Sequence, residues 1–293
     1  MAARFGRVIT AMVTPFREDG SLDFDEAQKL ARHLIEHGSE GLVVAGSTGE
    51  ASTLTDEEQA TLFRVVKDAV GTDAHVVAGT GTNWTEHSVE LTRAAEKAGA
   101  DAALVVTPYY NRPPQDALLN HFRLVADSSN LPVLIYDVPS RTVTKIEVET
   151  VLAAAEHPNI VGIKDAGGDI ATSTLLAAQK PDDFEIYSGD DSMTLAFLAI
   201  GGVGVISVLA HVMGEHLLEL VKAFESGDSN RARELQYTQQ RVNKTLMNAN
   251  PVAIKAAVNM LGFKVGEPRP PLRGASAEEQ QSIRAALQEI GAL

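Results

Sequence analysis

Short apolar runs alternate with amphipathic segments along most of the chain. The runs of strand length are "RVITAMV", "GLVVAG", "HVVAGTG", "DAALVVTP", "PVLIYDVP", "IVGIKDAG", "FEIYSGDD" and "GVGVISV". Their apolarity is continuous rather than alternating, as expected for strands of a parallel sheet covered on both faces. The segments between them read as helices. In "DFDEAQKLARHLIEHG", Asp23 suits the N-cap and Gly38 the C′ stop. In "TDEEQATLFRVVKDAVG", Thr55 and Glu58 form a capping box and Gly71 closes the helix.

About eight strand–helix units follow one another, which predicts an α/β fold of the (β/α)8 TIM-barrel type. A doubly wound open sheet is the alternative, but its glycine-rich dinucleotide fingerprint is missing. After about residue 225 the strand rhythm stops. "SNRARELQYTQQRVNKTLM", "PVAIKAAVNML" and "SAEEQQSIRAALQEIG" read as helices, joined in part by the proline-rich "GEPRPPLRG". The expected organisation is therefore a barrel over residues 1–225 with an appended helical segment over 226–293.

Composition narrows the function classes. A net charge of −14 argues against a nucleic-acid surface. It also means that any anionic substrate must be held by local positive groups. With no cysteine, the chain has no disulfide, thiolate metal site or cysteine nucleophile. The N-terminal apolar run is short and lacks a convincing cleavage site, and no stretch nears the ~20 apolar residues of a membrane span. A cytoplasmic, soluble protein is expected, with no membrane partner.

In a parallel barrel the chemistry gathers at the C-terminal strand ends. There, "AGSTGEAST" offers Ser47, Thr48 and Gly49, either an anion cradle of hydroxyls and backbone amides or an ordinary turn. "TPYYNRPP" holds two adjacent tyrosines that cannot both face one core, so at least one should project into a loop. "IYDVPSRTV" places Tyr136 at a strand tip and Arg141 in the following loop. Tyrosine can relay a proton, and arginine can grip a carboxylate or serve only in a surface ion pair. "IVGIKDAGGD" ends a buried strand on Lys164. A desolvated amine there can form a Schiff base, or the lysine can be structural and paired with Asp165 or another carboxylate. The glycines of "GGVGVISV" allow either a phosphate site or a helix stop followed by close strand packing. "HLIEH", His33 to His37, matches an inverted zinc-protease pattern, but it falls on the last turn of a helix where histidines answer the helix dipole; no metal site is expected.

Together these segments resemble the pyruvate-dependent class I aldolase superfamily, and within it the dihydrodipicolinate synthase family. The resemblance runs through "TAMVTPF", "GSTGE", "VVAGTGTN", "VVTPYYNRP", "IYDVPSRT", "GIKDA", "SGDD" and "GVGVISV" in order. It implies that Lys164 condenses with pyruvate and that the resulting enamine attacks L-aspartate 4-semialdehyde, giving 4-hydroxy-tetrahydrodipicolinate on the diaminopimelate route to lysine. It also implies Tyr136, Thr48 and Tyr110 as the proton relay, with Tyr110 reaching into a neighbouring subunit. Ser47 and Thr48 would cradle the pyruvate carboxylate and Arg141 would bind that of the semialdehyde. The backbone at Gly189 and Ile206 would line the site. A homotetramer built as a dimer of dimers is implied, with no metal or organic cofactor, because the lysine is itself the electron sink. The rival readings are a sialic-acid or 2-keto-3-deoxy sugar-acid lyase and a non-catalytic ketoacid-binding barrel.

The sequence departs from the family pattern in places. Ser47 stands for a usual threonine, Asp137 for a common asparagine and Val143 for a common glycine. At the family's inhibitor cleft Asn83 and Tyr109 match. Asp56, Gln59 and His87 replace residues of lysine-sensitive members, so inhibition by lysine is expected to be weak or absent.

Overall fold

The computed structural model describes residues 3–293. Eight strands run through its centre: β1 (Val8–Ala11), β2 (Gly41–Val44), β3 (His75–Gly79), β4 (Ala102–Val106), β5 (Val133–Asp137), β6 (Ile160–Asp165), β7 (Glu185–Ser188) and β8 (Gly204–Ser207). Each pairs in parallel with its neighbours in chain order, and β8 closes on β1, giving the barrel that the eight apolar runs predict. Nearly every strand residue is buried, as continuous apolarity requires.

The helices between the strands are α1 (Phe24–Glu36), α2 (Asp56–Val70), α3 (Thr85–Lys97), α4 (Gln115–Ala126), the short α5 (Pro139–Thr142), α6 (Val148–Ala155), α7 (Ile170–Gln179) and α8 (Thr194–Ala199). After β8 come α9 (Ala210–Glu225), α10 (Ser229–Leu246), α11 (Val252–Met260) and α12 (Ala277–Glu289). The caps follow the sequence. Asp23 accepts from the Glu26 amide, Thr55 and Glu58 form the capping box, and Gly38 takes φ +101° just past α1. The last three helices do not stand apart from the barrel. Leu235, Leu246, Ile254 and Leu287 belong to the same buried apolar cluster as the strands.

One of the open alternatives closes here. Gly201 (φ +94°) follows the last turn of α8, and a Cβ on Gly204 would collide with the Arg7 carbonyl. These glycines stop a helix and let two strands approach at the N-terminal end of β8, opposite the strand ends where a phosphate would bind. His33 and His37 lie at the end of α1, where the His37 Nδ1 contacts the His33 carbonyl at 2.8 Å, a local bond at a helix end.

Candidate active site

Lys164 is the fifth residue of β6 and is 4% exposed. Its register partner on β5 is Tyr136, and its Nζ lies 4.4 Å from the centre of the Tyr136 ring. The lysines held in ion pairs among the described residues are Lys29, Lys67, Lys145 and Lys255, so the structural alternative of a carboxylate partner for Lys164 is not realised. Asp165 faces the opposite side of the strand, where its carboxylate accepts from Ser173 Oγ at 2.6 Å and the Gly167 amide at 2.8 Å. The amine is thus buried against an aromatic ring without a neutralising anion, which suits a nucleophile better than a structural cation.

Behind this pair, Asp137 and Asp165 are also register partners. Burial pushes the Asp137 carboxyl up to about 7; Asp165 adds to this, while the Ile146 amide and Lys145 oppose it. An asparagine at this position would meet the same Ile146 amide, 3.1 Å from Oδ1, without having to ionise. This gives the departure at position 137 a physical consequence.

The loop after β2 carries Ser47 and Thr48. Thr48 is buried, and its Oγ1 accepts from Asn250 Nδ2 at 2.9 Å. Glu50, with φ +58°, turns inward to Lys255 Nζ at 2.9 Å, an ion pair whose side chains are both almost wholly buried. Lys255 also donates to the Thr14 carbonyl at 3.0 Å, and the Arg269 amide donates to the second Glu50 oxygen at 2.9 Å. Lys255 and Arg269 both lie over the Phe16 ring, 4.2 and 4.5 Å from its centre. The C-terminal segment therefore locks the turn from which Ser47 and Thr48 project.

Arg141 lies in α5, and its Nη2 donates to the Asn250 carbonyl at 3.2 Å. Two residues on, Val143 takes φ +62°, a conformation that penalises a β-branched residue and that a glycine would adopt without strain. Gly189 follows β7, with its amide donating to the Asp165 carbonyl at 2.7 Å. A Cβ there would come within 2.9 Å of the Ala166 Cβ and 3.1 Å of Lys164 Cγ, so a side chain at this position would push Ala166 aside and crowd the lysine stem. Ile206 is buried in β8, in register with Ile9.

A cleft of about 380 Å³ opens over the ends of β2 to β5, lined by Ser47, Tyr136 and Arg141 and continuing past Gln59, His87 and Tyr109; Lys164, Thr48, Gly189 and Ile206 are not among its lining residues. Gln59 and His87, two of the departures noted in the sequence, line this same cleft, and His87 pairs with Asp56 at 2.8 Å. Of the two adjacent tyrosines, Tyr109 lines the cleft and Tyr110 is 89% exposed with φ +72°. Tyr110 does not reach this chain's own cleft, and the side-chain partner of Thr48 is Asn250 rather than Tyr136. A three-membered relay is thus not assembled within one chain.

Sequence reasoning missed Asn250, Lys255, Glu50 as an anchor, and Arg269. The signal for Lys255 was a lone lysine on the apolar helix "PVAIKAAVNML", the same anomaly that marked Lys164.

The model of the dihydrodipicolinate synthetase family matches residues 4–290. The chain belongs to that family. It is 50% identical over 291 residues to the 4-hydroxy-tetrahydrodipicolinate synthase of Moorella thermoacetica, covering 99% of this chain and 100% of that protein. It is 51% identical over 290 residues to the synthase of Desulforudis audaxviator, covering 99% of each. Among solved structures, dihydrodipicolinate synthase from Bacillus anthracis superposes with a TM-score of 0.96 at 42% identity, over 98% of this chain and 99% of that one. The enzyme from Cyanidioschyzon merolae, solved with lysine bound, superposes with a TM-score of 0.97 at 42% identity over 99% of each. Family membership rests on nearly the whole chain, including the C-terminal helices.

Proposed function

We propose that this protein is a lyase that condenses pyruvate with L-aspartate 4-semialdehyde to form 4-hydroxy-tetrahydrodipicolinate, in the diaminopimelate route to lysine. The observation that carries the proposal is Lys164 itself, buried at a barrel strand end against Tyr136 and free of any carboxylate partner. Near-full-length relatives bearing the synthase name support it.

The chemistry follows from an amine at this position. Lys164 Nζ adds to C2 of pyruvate, water leaves, and an iminium forms. The positive nitrogen draws electrons from the neighbouring C–H bond, and loss of a methyl proton gives the enamine. The enamine carbon attacks the aldehyde of the second substrate, whose amino group then closes the ring on C2 and expels the lysine. Because the iminium is the electron sink, the sequence needs no added cofactor or metal.

Ser47 and Thr48 receive the pyruvate carboxylate, Arg141 receives that of the semialdehyde, and the backbone at Gly189 and Ile206 lines the floor. Tyr136 and Thr48 move the protons, with Tyr110 supplied by a neighbouring copy in a homotetramer. That role suits an exposed tyrosine held at positive φ. No helix among the described residues is long and apolar enough to cross a membrane, and a cytoplasmic location fits the absence of cysteine.

The test is to incubate the protein with pyruvate and either L-aspartate 4-semialdehyde or a sugar aldehyde and follow the products. Formation of the six-membered ring product is expected. Formation of a sugar acid instead would overturn the substrate assignment.

A further inference from the structure

The segment between α10 and α11 touches the site at two chemically different points through one residue. Asn250 donates from Nδ2 to Thr48 Oγ1 at 2.9 Å, and its main-chain carbonyl accepts from Arg141 at 3.2 Å. The segment is itself anchored, because Lys255, five residues on, is held by Glu50, two residues beyond Thr48. The cradle loop and the α10–α11 segment are therefore tied twice, once by the buried ion pair and once by Asn250. Asn250 Oδ1 is buried and has no hydrogen-bond partner among the described residues.

We propose that Asn250 is a positioning residue that fixes the Thr48 hydroxyl for proton transfer while its backbone carbonyl holds Arg141 over the cleft. A hydroxyl has one proton to give. With the amide N–H directed at Thr48 Oγ1, that proton must point elsewhere, which leaves it available to Tyr136 or substrate. The two functions separate cleanly, since a side-chain substitution removes the hold on Thr48 and keeps the carbonyl on Arg141. The inference rests on the Schiff-base reading above and assigns to the C-terminal segment a part in the reaction's geometry.

The experiment measures the pyruvate half-reaction on the full-length protein. Two rates are followed without semialdehyde: exchange of pyruvate methyl protons with D2O, and borohydride trapping of the iminium. In Asn250→Ala and in Asn250→Asp, which keeps the size without the donor, exchange should fall about 10-fold while trapping stays unchanged. In a Thr48→Val background the same substitutions should have no further effect on exchange. The KM for semialdehyde should remain within about 2-fold, because the Arg141 contact is to backbone.

Unchanged exchange in the single variants would overturn the proposal, as would losses that multiply with Thr48→Val. Parallel loss of trapping and exchange would indicate general collapse of the site and would also overturn it. If the unsubstituted protein gives no adduct, the Schiff-base reading itself fails and takes this inference with it. If the adduct forms normally and only the Asn250 effects are missing, that reading stands and this inference alone falls.

Discussion

Lys164 Nζ sits 4.4 Å from the centre of the Tyr136 ring, and the two residues are register partners on adjacent barrel strands. Sheet pairing fixes the separation of their backbones, so it cannot drift as two loop residues could. A proton relay at Tyr136 needs its hydroxyl and not its ring. Tyr136→Phe should therefore keep the packing around Lys164 and still allow borohydride trapping, while turnover falls by about 100-fold or more. Steady-state kinetics beside a trapping assay checks this; turnover at the unsubstituted level would remove Tyr136 from the mechanism.

Arg141 is expected to act on one substrate only. Arg141→Lys keeps the charge but loses the planar fork that grips a carboxylate. The KM for semialdehyde should rise about 10–100-fold with the KM for pyruvate nearly constant. Equal changes in both would mean that the arginine shapes the cleft as a whole.

Asp137 gives stability a pH dependence of unusual sign for a carboxylate. Its folded value is raised from 3.8 to about 7, so the folded protein binds the extra proton between those limits. Its contribution is fully present below about pH 4 and is lost as the pH rises through 7. Asp137→Asn should therefore be the more stable protein at pH 8, by on the order of 1–3 kcal/mol, with the gap closing near pH 5. Thermal melts of both proteins at the two pH values provide the comparison. A constant gap would show that the carboxyl is ionised throughout.

The Glu50–Lys255 pair predicts a large loss from a single change. Lys255→Met leaves the buried Glu50 without its ion-pair partner, at a cost of about 3–5 kcal/mol. Adding Glu50→Gln should restore most of that stability. Denaturant unfolding of the single and double variants checks this, and additive losses would contradict it.

The barrel was legible because its strands are buried on both faces and so write themselves as uninterrupted apolar runs. The helix caps were legible because they depend on residues three apart in sequence. Lys164, Tyr136 and Arg141 stood out as polar groups at the ends of such runs. What could not be read was contact across distance. Asn250 lies 202 residues from Thr48 and Lys255 lies 205 from Glu50, and neither separation leaves a local pattern. The strain at Val143 was equally hidden, since it depends on a φ of +62° that only the folded loop reveals.

The central claim is that Lys164 is the nucleophile, and borohydride reduction in the presence of pyruvate tests it most directly. After digestion and mass spectrometry, the account predicts one reduced three-carbon adduct on the peptide containing Lys164, dependent on pyruvate and absent from Lys164→Ala. No adduct on the folded protein, or an adduct on Lys255 or any other lysine, would contradict it.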